Sequence, residues 1–210
     1  MRLLLLCSLL LAATPVLAGS KEEERYAEYV RLSQDLERLA SKNAWSGVER
    51  TYQKCLATEV ALSFEDHLAG AHAARASGDI TAARERLMAA NEIREEREVL
   101  DWLWDVDSNY GQVSLKGDVG TVTLEPMQMP FDPLMAKSIE FATSKIDETG
   151  AFEGYLPQGD YIFSGVKVKV RPRVMAARID LRTDEGIEAA RKRAKEERKA
   201  KKRGEREEDQ

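Results

Sequence analysis

The sequence predicts an α+β protein of two domains, in which antiparallel, repeat-like helical hairpins precede a seven-stranded antiparallel β-sandwich. Three observations carry this reading. Residues 21–106 contain no proline and are rich in Ala, Leu, Glu and Arg, the composition of helices. Residues 111–182 alternate β-branched residues with others between Gly and Pro punctuation, the pattern of short strands. From Gly186 onward no apolar period remains. The predicted divisions are a leader over 1–18, a helical domain over 19–106, a sandwich over 107–184 and a charged, partly helical or disordered tail over 185–210.

The chain has 210 residues, room for one large or two small domains, and 43% of them are hydrophobic, enough for folded cores. Two Cys and two His are too few for the zinc-finger and disulfide-scaffold classes. A formal charge of −5 argues against a protein made mainly to hold nucleic acid. At the start, Met1-Arg2 precedes the apolar run Leu3–Ala13, and Thr14-Pro15-Val16-Leu17-Ala18 follows. A charged start, an apolar run and small residues before a cut read as a secretory signal peptide cleaved after Ala18. The run is short for a membrane span, and no later stretch is long and apolar enough for one. The expectation is an exported protein, periplasmic or extracellular, with no transmembrane segment after cleavage. Cleavage leaves Cys55 as the single thiol; burial between helices would raise its pKa and keep it inert.

Within the helical part, Tyr26, Tyr29, Val30, Leu32, Leu36 and Leu39 recur at spacings of three and four, one buried face of a helix over Glu22–Ala40. Ser41-Lys42-Asn43 breaks it. A second helix carries Val48, Tyr52, Cys55 and Leu56, and a third carries Leu68, Ala71 and Ala74. At Ser77-Gly78-Asp79, glycine suits a left-handed helix stop and aspartate suits the cap of the next helix. That helix carries Ala83, Leu87 and Ala90, and helix is expected to continue through Val99, Leu100, Leu103 and Trp104.

Ala71, Gly78-Asp79, Ala83, Leu87 and Ala90 resemble the tetratricopeptide repeat, a helix hairpin in which small residues let two helices approach closely. Val48, Tyr52 and Cys55 occupy the slots of Ala83, Leu87 and Ala90 in a weaker, earlier copy, with Asn43 standing where the later copy has Gly78. The resemblance spans residues 27–95. It implies a helix-lined groove that grips a partner chain; a plain helical bundle is the competing architecture.

In the sandwich part, the predicted strands are Gln112–Leu115, Gly120–Leu124, Ser138–Ala142, Ala151–Tyr155, Asp160–Phe163, Val166–Val170 and Arg178–Leu181. Met127–Met135, with its prolines, is expected to be a loop. The run Asp147-Glu148-Thr149-Gly150-Ala151-Phe152, followed by Leu156-Pro157-Gln158-Gly159-Asp160-Tyr161, is similar to carboxypeptidase regulatory-like and transthyretin-like sandwiches. There a glycine turn leads into an aromatic strand. The resemblance implies that Phe152 and Tyr161 fill one core, and it implies an accessory or spacer role.

The tail holds nine basic and two acidic residues between Arg191 and Arg203. Arg191, Lys192, Arg193, Lys195, Arg198, Lys199, Lys201, Lys202 and Arg203 form a candidate electrostatic arm for an anionic surface, or else a solvated tail.

No motif of nucleophilic, metal-dependent or nucleotide chemistry is present. Glu65, Asp66, His67 and His72 gather ligand-type residues, but His67 and His72 are about 140° apart on a helix and would not share a metal. No cofactor and no metal are expected. Trp102 and Trp104 lie about 200° apart, so one can cover the helical domain while the other meets the sandwich. Trp102, Trp104, Tyr110, Phe131 and Tyr155 are the candidate partner-binding aromatics. The leading expectation is an exported, non-catalytic interaction or scaffold protein of a bacterial cell envelope. Its partner is another envelope protein, nucleic acid being an improbable one. The alternative is a glycan or cell-wall binding module acting through Tyr110, Phe131 and Tyr155.

Overall fold

The computed structural model describes residues 17–174 and 176–189, together with 191, 192 and 195. The chain is α+β, helical first and sheet-containing after. Five helices open it: α1 (Leu17–Ala40), α2 (Trp45–Ala57), α3 (Phe64–Ser77), α4 (Ile80–Ile93) and α5 (Arg97–Asn109). Each packs against its chain neighbour, and α1 also reaches α3. Gly78 stops α3 in the left-handed conformation at φ 90°, and Asp79 caps α4 by accepting from the Ala82 N–H at 3.0 Å. Arg94–Glu96 separates α4 from α5, so the helix expected to continue through Trp104 begins anew at Arg97.

Two cores lie within the helical part. Leu32, Leu36, Val48, Tyr52 and Cys55 meet between α1, α2 and α3. Ala71, Leu87, Ala90, Val99 and Trp102 meet between α3, α4 and α5, and this core continues into Tyr110 of the sheet part. The apolar face expected on α1 is narrower than its spacing implied: Leu32 and Leu36 are buried, whereas Tyr26 and Val30 are exposed, as is Leu56 on α2.

Strand β1 (Tyr110–Lys116) follows α5 with no intervening loop. The remaining elements are β2 (Leu124–Pro126), α6 (Pro133–Thr149), β3 (Ala151–Pro157), β4 (Gly159–Phe163), β5 (Val166–Val170) and β6 (Ala177–Asp180). They form two three-stranded sheets, ordered β3-β1-β6 and β2-β4-β5. β1 runs antiparallel to β3, with Leu115 opposite Phe152, and parallel to β6. Both sheets and α6 close on one core that includes Leu115, Ile139, Ile146, Phe152, Tyr161 and Phe163. Phe152 and Tyr161 therefore share a core, as the aromatic strands implied.

The seven-stranded antiparallel sandwich is corrected. Among the described residues there are six strands, one of them parallel to its neighbour. Ser138–Ala142, expected as a strand, lies inside α6. Met135, Ile139, Ala142 and Ile146 repeat at helical spacing, Asp132 caps the start with Pro133 in the first turn, and Gly150 stops the end at φ 72°. The expected Gly120–Leu124 strand is reduced to a β2 that begins at Leu124.

Candidate functional site

The groove between α1 and α3 has a volume of about 440 Å³. Its walls are two matched stripes. Ser33, Leu36, Glu37 and Ala40 line it from α1, and Glu65, Leu68, Ala69 and His72 line it from α3. Both stripes have the i, i+3, i+4, i+7 spacing that puts four side chains on one helix face. Trp45, the first residue of α2, closes one end.

The groove is held open by a polar fixture at the start of α3. Ser63 and Asp66 form a reciprocal capping box. Asp66 is only 2% exposed, and it also accepts hydrogen bonds from Tyr29 Oη and Ser33 Oγ, each at 2.7 Å. Burial opposes the charge on Asp66, but the donors from Tyr29, Ser33 and Ser63 outweigh it and hold its pKa below the usual carboxylate range. Burial, with Asp66 beside it, raises the Tyr29 phenol. The four residues thus pin α1 to the N-terminus of α3.

His72 forms the floor with Trp45, and the buried indole of Trp102 backs it from the core. Its ring stacks on Trp45 at 5.7 Å between centroids and meets Trp102 at 4.8 Å. Arg75 covers Trp102 at 4.8 Å. Burial lowers the His72 pKa; Arg75 lowers it further, and Glu98 opposes both. The imidazole is neutral at pH 7. Glu37, Glu65 and Glu98 are exposed near this floor, with Glu65 held by Arg94 at 3.1 Å. An aromatic floor under an acidic rim suits a chain segment that brings an apolar anchor and a cationic side chain. Asp66 is fully engaged and held ionised, which makes it a poor general base at neutral pH.

His67 faces away from this groove. Its Nδ1 lies 3.0 Å from Tyr52 Oη, and burial is the first cause of its lowered pKa. The two histidines belong to different sites. Among the described residues no three His, Cys, Asp or Glu side chains gather as a metal would need. Cys55 is buried between the helices, and that burial raises its thiol to about 11.

The five candidate aromatics do not form one surface. Trp102 is 8% exposed and Tyr110 4%, so both are core residues; neither can present a free face. Trp104 is 65% exposed on α5 and joins none of the buried cores, whereas Trp102 lies in the core that Tyr110 shares. Phe131 is 98% exposed in the β2–α6 loop. Tyr155 is half-buried beneath Arg84 and lines a separate small hollow with Arg173. Of the proposed arm, Arg191, Lys192 and Lys195 are exposed helical positions. Arg193, Arg198, Lys199, Lys201, Lys202 and Arg203 lie outside the described residues, as does the leader up to residue 16. Among the described residues no helix is long and apolar enough to cross a membrane.

Trp45 was not among the candidates. Its signal is weak in sequence, because it starts a helix rather than joining a stripe. The two stripes themselves could have been found, since the spacing is complete in both helices. Comparison of the chain with protein-family models, curated protein sequences and solved structures returns no match.

Proposed function

We propose that the protein is an exported, non-catalytic interaction protein of a bacterial cell envelope. Its helical part binds an extended or helical segment of a partner chain in the α1–α3 groove. The α1–α2 and α3–α4 hairpins act as tetratricopeptide-like units, and the groove lies between their first helices, on the face a stacked repeat offers to a partner. The sheet part, two three-stranded sheets and α6 around one core, serves as a rigid accessory. The observation that carries the reading is the pair of matched stripes meeting an aromatic floor at His72. The reading further specifies a partner segment with a basic residue over Trp45 and His72.

A photoreactive residue at Leu68 tests this in the native host, with a second at Glu153 on the exposed side of β3 as control. The expected result is one dominant crosslinked envelope protein from Leu68 that disappears with His72→Ala and with Glu37→Lys. Equal crosslinking from both positions, or capture unaffected by the groove substitutions, would overturn the reading. Binding to insoluble cell wall that persists in both groove variants would favour the glycan alternative.

A further inference from the structure

We propose that the end of the sheet part formed by the β2–α6 and β5–β6 loops is a peripheral membrane contact, which rests on an anionic bilayer surface. Phe131, Met129 and Met127 enter the interfacial layer, and Arg171 and Arg173 meet lipid phosphates. This inference is independent of the α1–α3 groove.

Phe131 projects almost wholly into solvent, and Met127, Met129 and Val174 are also exposed. Isolated apolar residues on a surface are ordinary, but Met127, Met129 and Phe131 share one hollow and form a patch, with Val174 exposed on the β5–β6 loop. The two loops meet: Arg171, which opens the β5–β6 loop, lines the same hollow of about 500 Å³ as Met127, Met129 and Phe131. Pro172, Arg173 and Val174 follow in the same loop, and Arg173 and Val174 line the neighbouring hollow with Tyr155. Arg171 is exposed and makes no ion pair or side-chain hydrogen bond among the described residues. Among the described residues Arg173 is held by a long bond to Ser108 Oγ at 3.3 Å, and its backbone is left-handed at φ 57°.

The carboxylates around this tip leave the two guanidiniums available. Asp132 caps α6 through the Leu134 N–H, Asp160 lies 3.8 Å from Lys167, and Asp107 pairs with Arg84 at 2.9 Å. Glu125 is exposed on β2, before Pro126. Guanidinium binds phosphate oxygens in pairs and sheds water readily, which suits the headgroup layer.

The loop backbone fits the same environment. An amide N–H without a partner is costly in a medium poor in water. Pro126, Pro130 and Pro133 have no N–H to satisfy. The Met127 N–H is already bonded to the Asp160 carbonyl at 2.9 Å, and the Leu134 N–H to Asp132. Among the described residues Gln128, Met129, Phe131 and Asp132 remain in this loop, at a depth where headgroups and water still offer acceptors.

A bilayer surface matches this geometry better than a protein pocket does. Met127, Met129 and Phe131 are exposed together on one loop around an open hollow, and a fluid interface takes up such groups at any spacing. The attraction of the arginines adds to apolar insertion and makes the contact sensitive to salt.

The test is a local one, so that the leader and the basic tail cannot imitate it. The full chain carries Cys7→Ser and Met129→Cys, with an environment-sensitive fluorophore on the new thiol, Cys55 being buried. The probes are vesicles of phosphatidylcholine alone and vesicles with about one-third phosphatidylglycerol. The expected result is a blue shift with the anionic vesicles, much weaker with the neutral ones. Phe131→Asp lowers partitioning roughly tenfold or more, from the transfer free energy of one aromatic side chain. Arg171→Glu with Arg173→Glu removes the preference for anionic lipid. Circular dichroism checks that these exposed substitutions leave the fold intact. A label that stays in water, whether the chain floats with the vesicles or not, overturns the proposal. So does a blue shift that appears only with envelope proteins and never with lipid.

Discussion

Arg86 shows how one side chain joins three helices. It is 8% exposed, donates to both carboxylate oxygens of Glu49 on α2, and donates to the Gly70 carbonyl of α3 at 2.7 Å. Its guanidinium lies 4.2 Å from the centroid of Tyr52. The hydrogen bonds from Arg86 lower the Glu49 pKa against the burial that would raise it. Arg86→Ala removes the charge, the fork and the carbonyl donor together. It is expected to cost about 3 kcal/mol, reduced where water reaches the half-exposed Glu49. That appears as a drop of roughly 6–12 °C in Tm by thermal circular dichroism. An unchanged Tm would mean the fork is not formed in solution. Gly70 answers to the same packing. A Cβ there would lie 2.6 Å from two ring carbons of Tyr52, so Gly70→Ala forces the ring to move and is expected to cost about 1–3 kcal/mol. Chemical denaturation measures it. The turn at Gly78-Asp79 was legible because glycine and aspartate act locally. The role of Arg86 was not, because both partners lie far away along the chain.

At the level of elements, α6 is where two periods compete. Ile139 and Phe141 alternate with polar neighbours over five residues, which imitates a strand. The longer window carries Met135, Ile139, Ala142 and Ile146, which is a helix with a cap and a glycine stop. The window decides, because a 17-residue helix buries a continuous stripe against β3 and β2 whereas five residues bury little. Ile146 is fully buried in the shared core, so Ile146→Ala is expected to cost about 3 kcal/mol. Asp132→Ala removes one cap and is expected to cost about 1 kcal/mol. Equilibrium denaturation of both variants gives the ratio. Equal, negligible losses would be inconsistent with α6 as described. The groove was partly legible for the same reason. Its α1 and α3 stripes obey helical spacing, but the closure of Trp45 and Trp102 over His72 is tertiary and leaves no local trace.

Across the whole molecule, titration acts in one direction at each end of the pH scale. His67 and His72 have folded pKa values below the ordinary value near 6.5, burial being the first cause of each. An unfolded chain therefore takes up protons there before the folded one, and stability falls as pH drops through that range. Asp66 and Glu49 are also lowered, so their contribution is present above the ordinary carboxylate pKa near 4 and is lost as pH falls further. These four groups sit in the helical part, three of them on α3. The buried phenols shift the other way. Burial raises Tyr110 to about 12 and raises Tyr29, Tyr52 and Tyr161. The unfolded chain loses those protons first, near pH 10, and stability falls above it. The expected Tm profile is a plateau between about pH 7 and pH 9, with a loss on each side. Hydrogen exchange would locate the acid loss. Amides of α1 to α3 are expected to lose protection between about pH 6.5 and pH 5 before those of β1 and β3, because the titrating imidazoles contact only the helices. His67→Phe with His72→Phe should flatten the decline in that interval while leaving the carboxylate loss at lower pH. A decline unchanged in the double variant would assign the acid sensitivity to other groups.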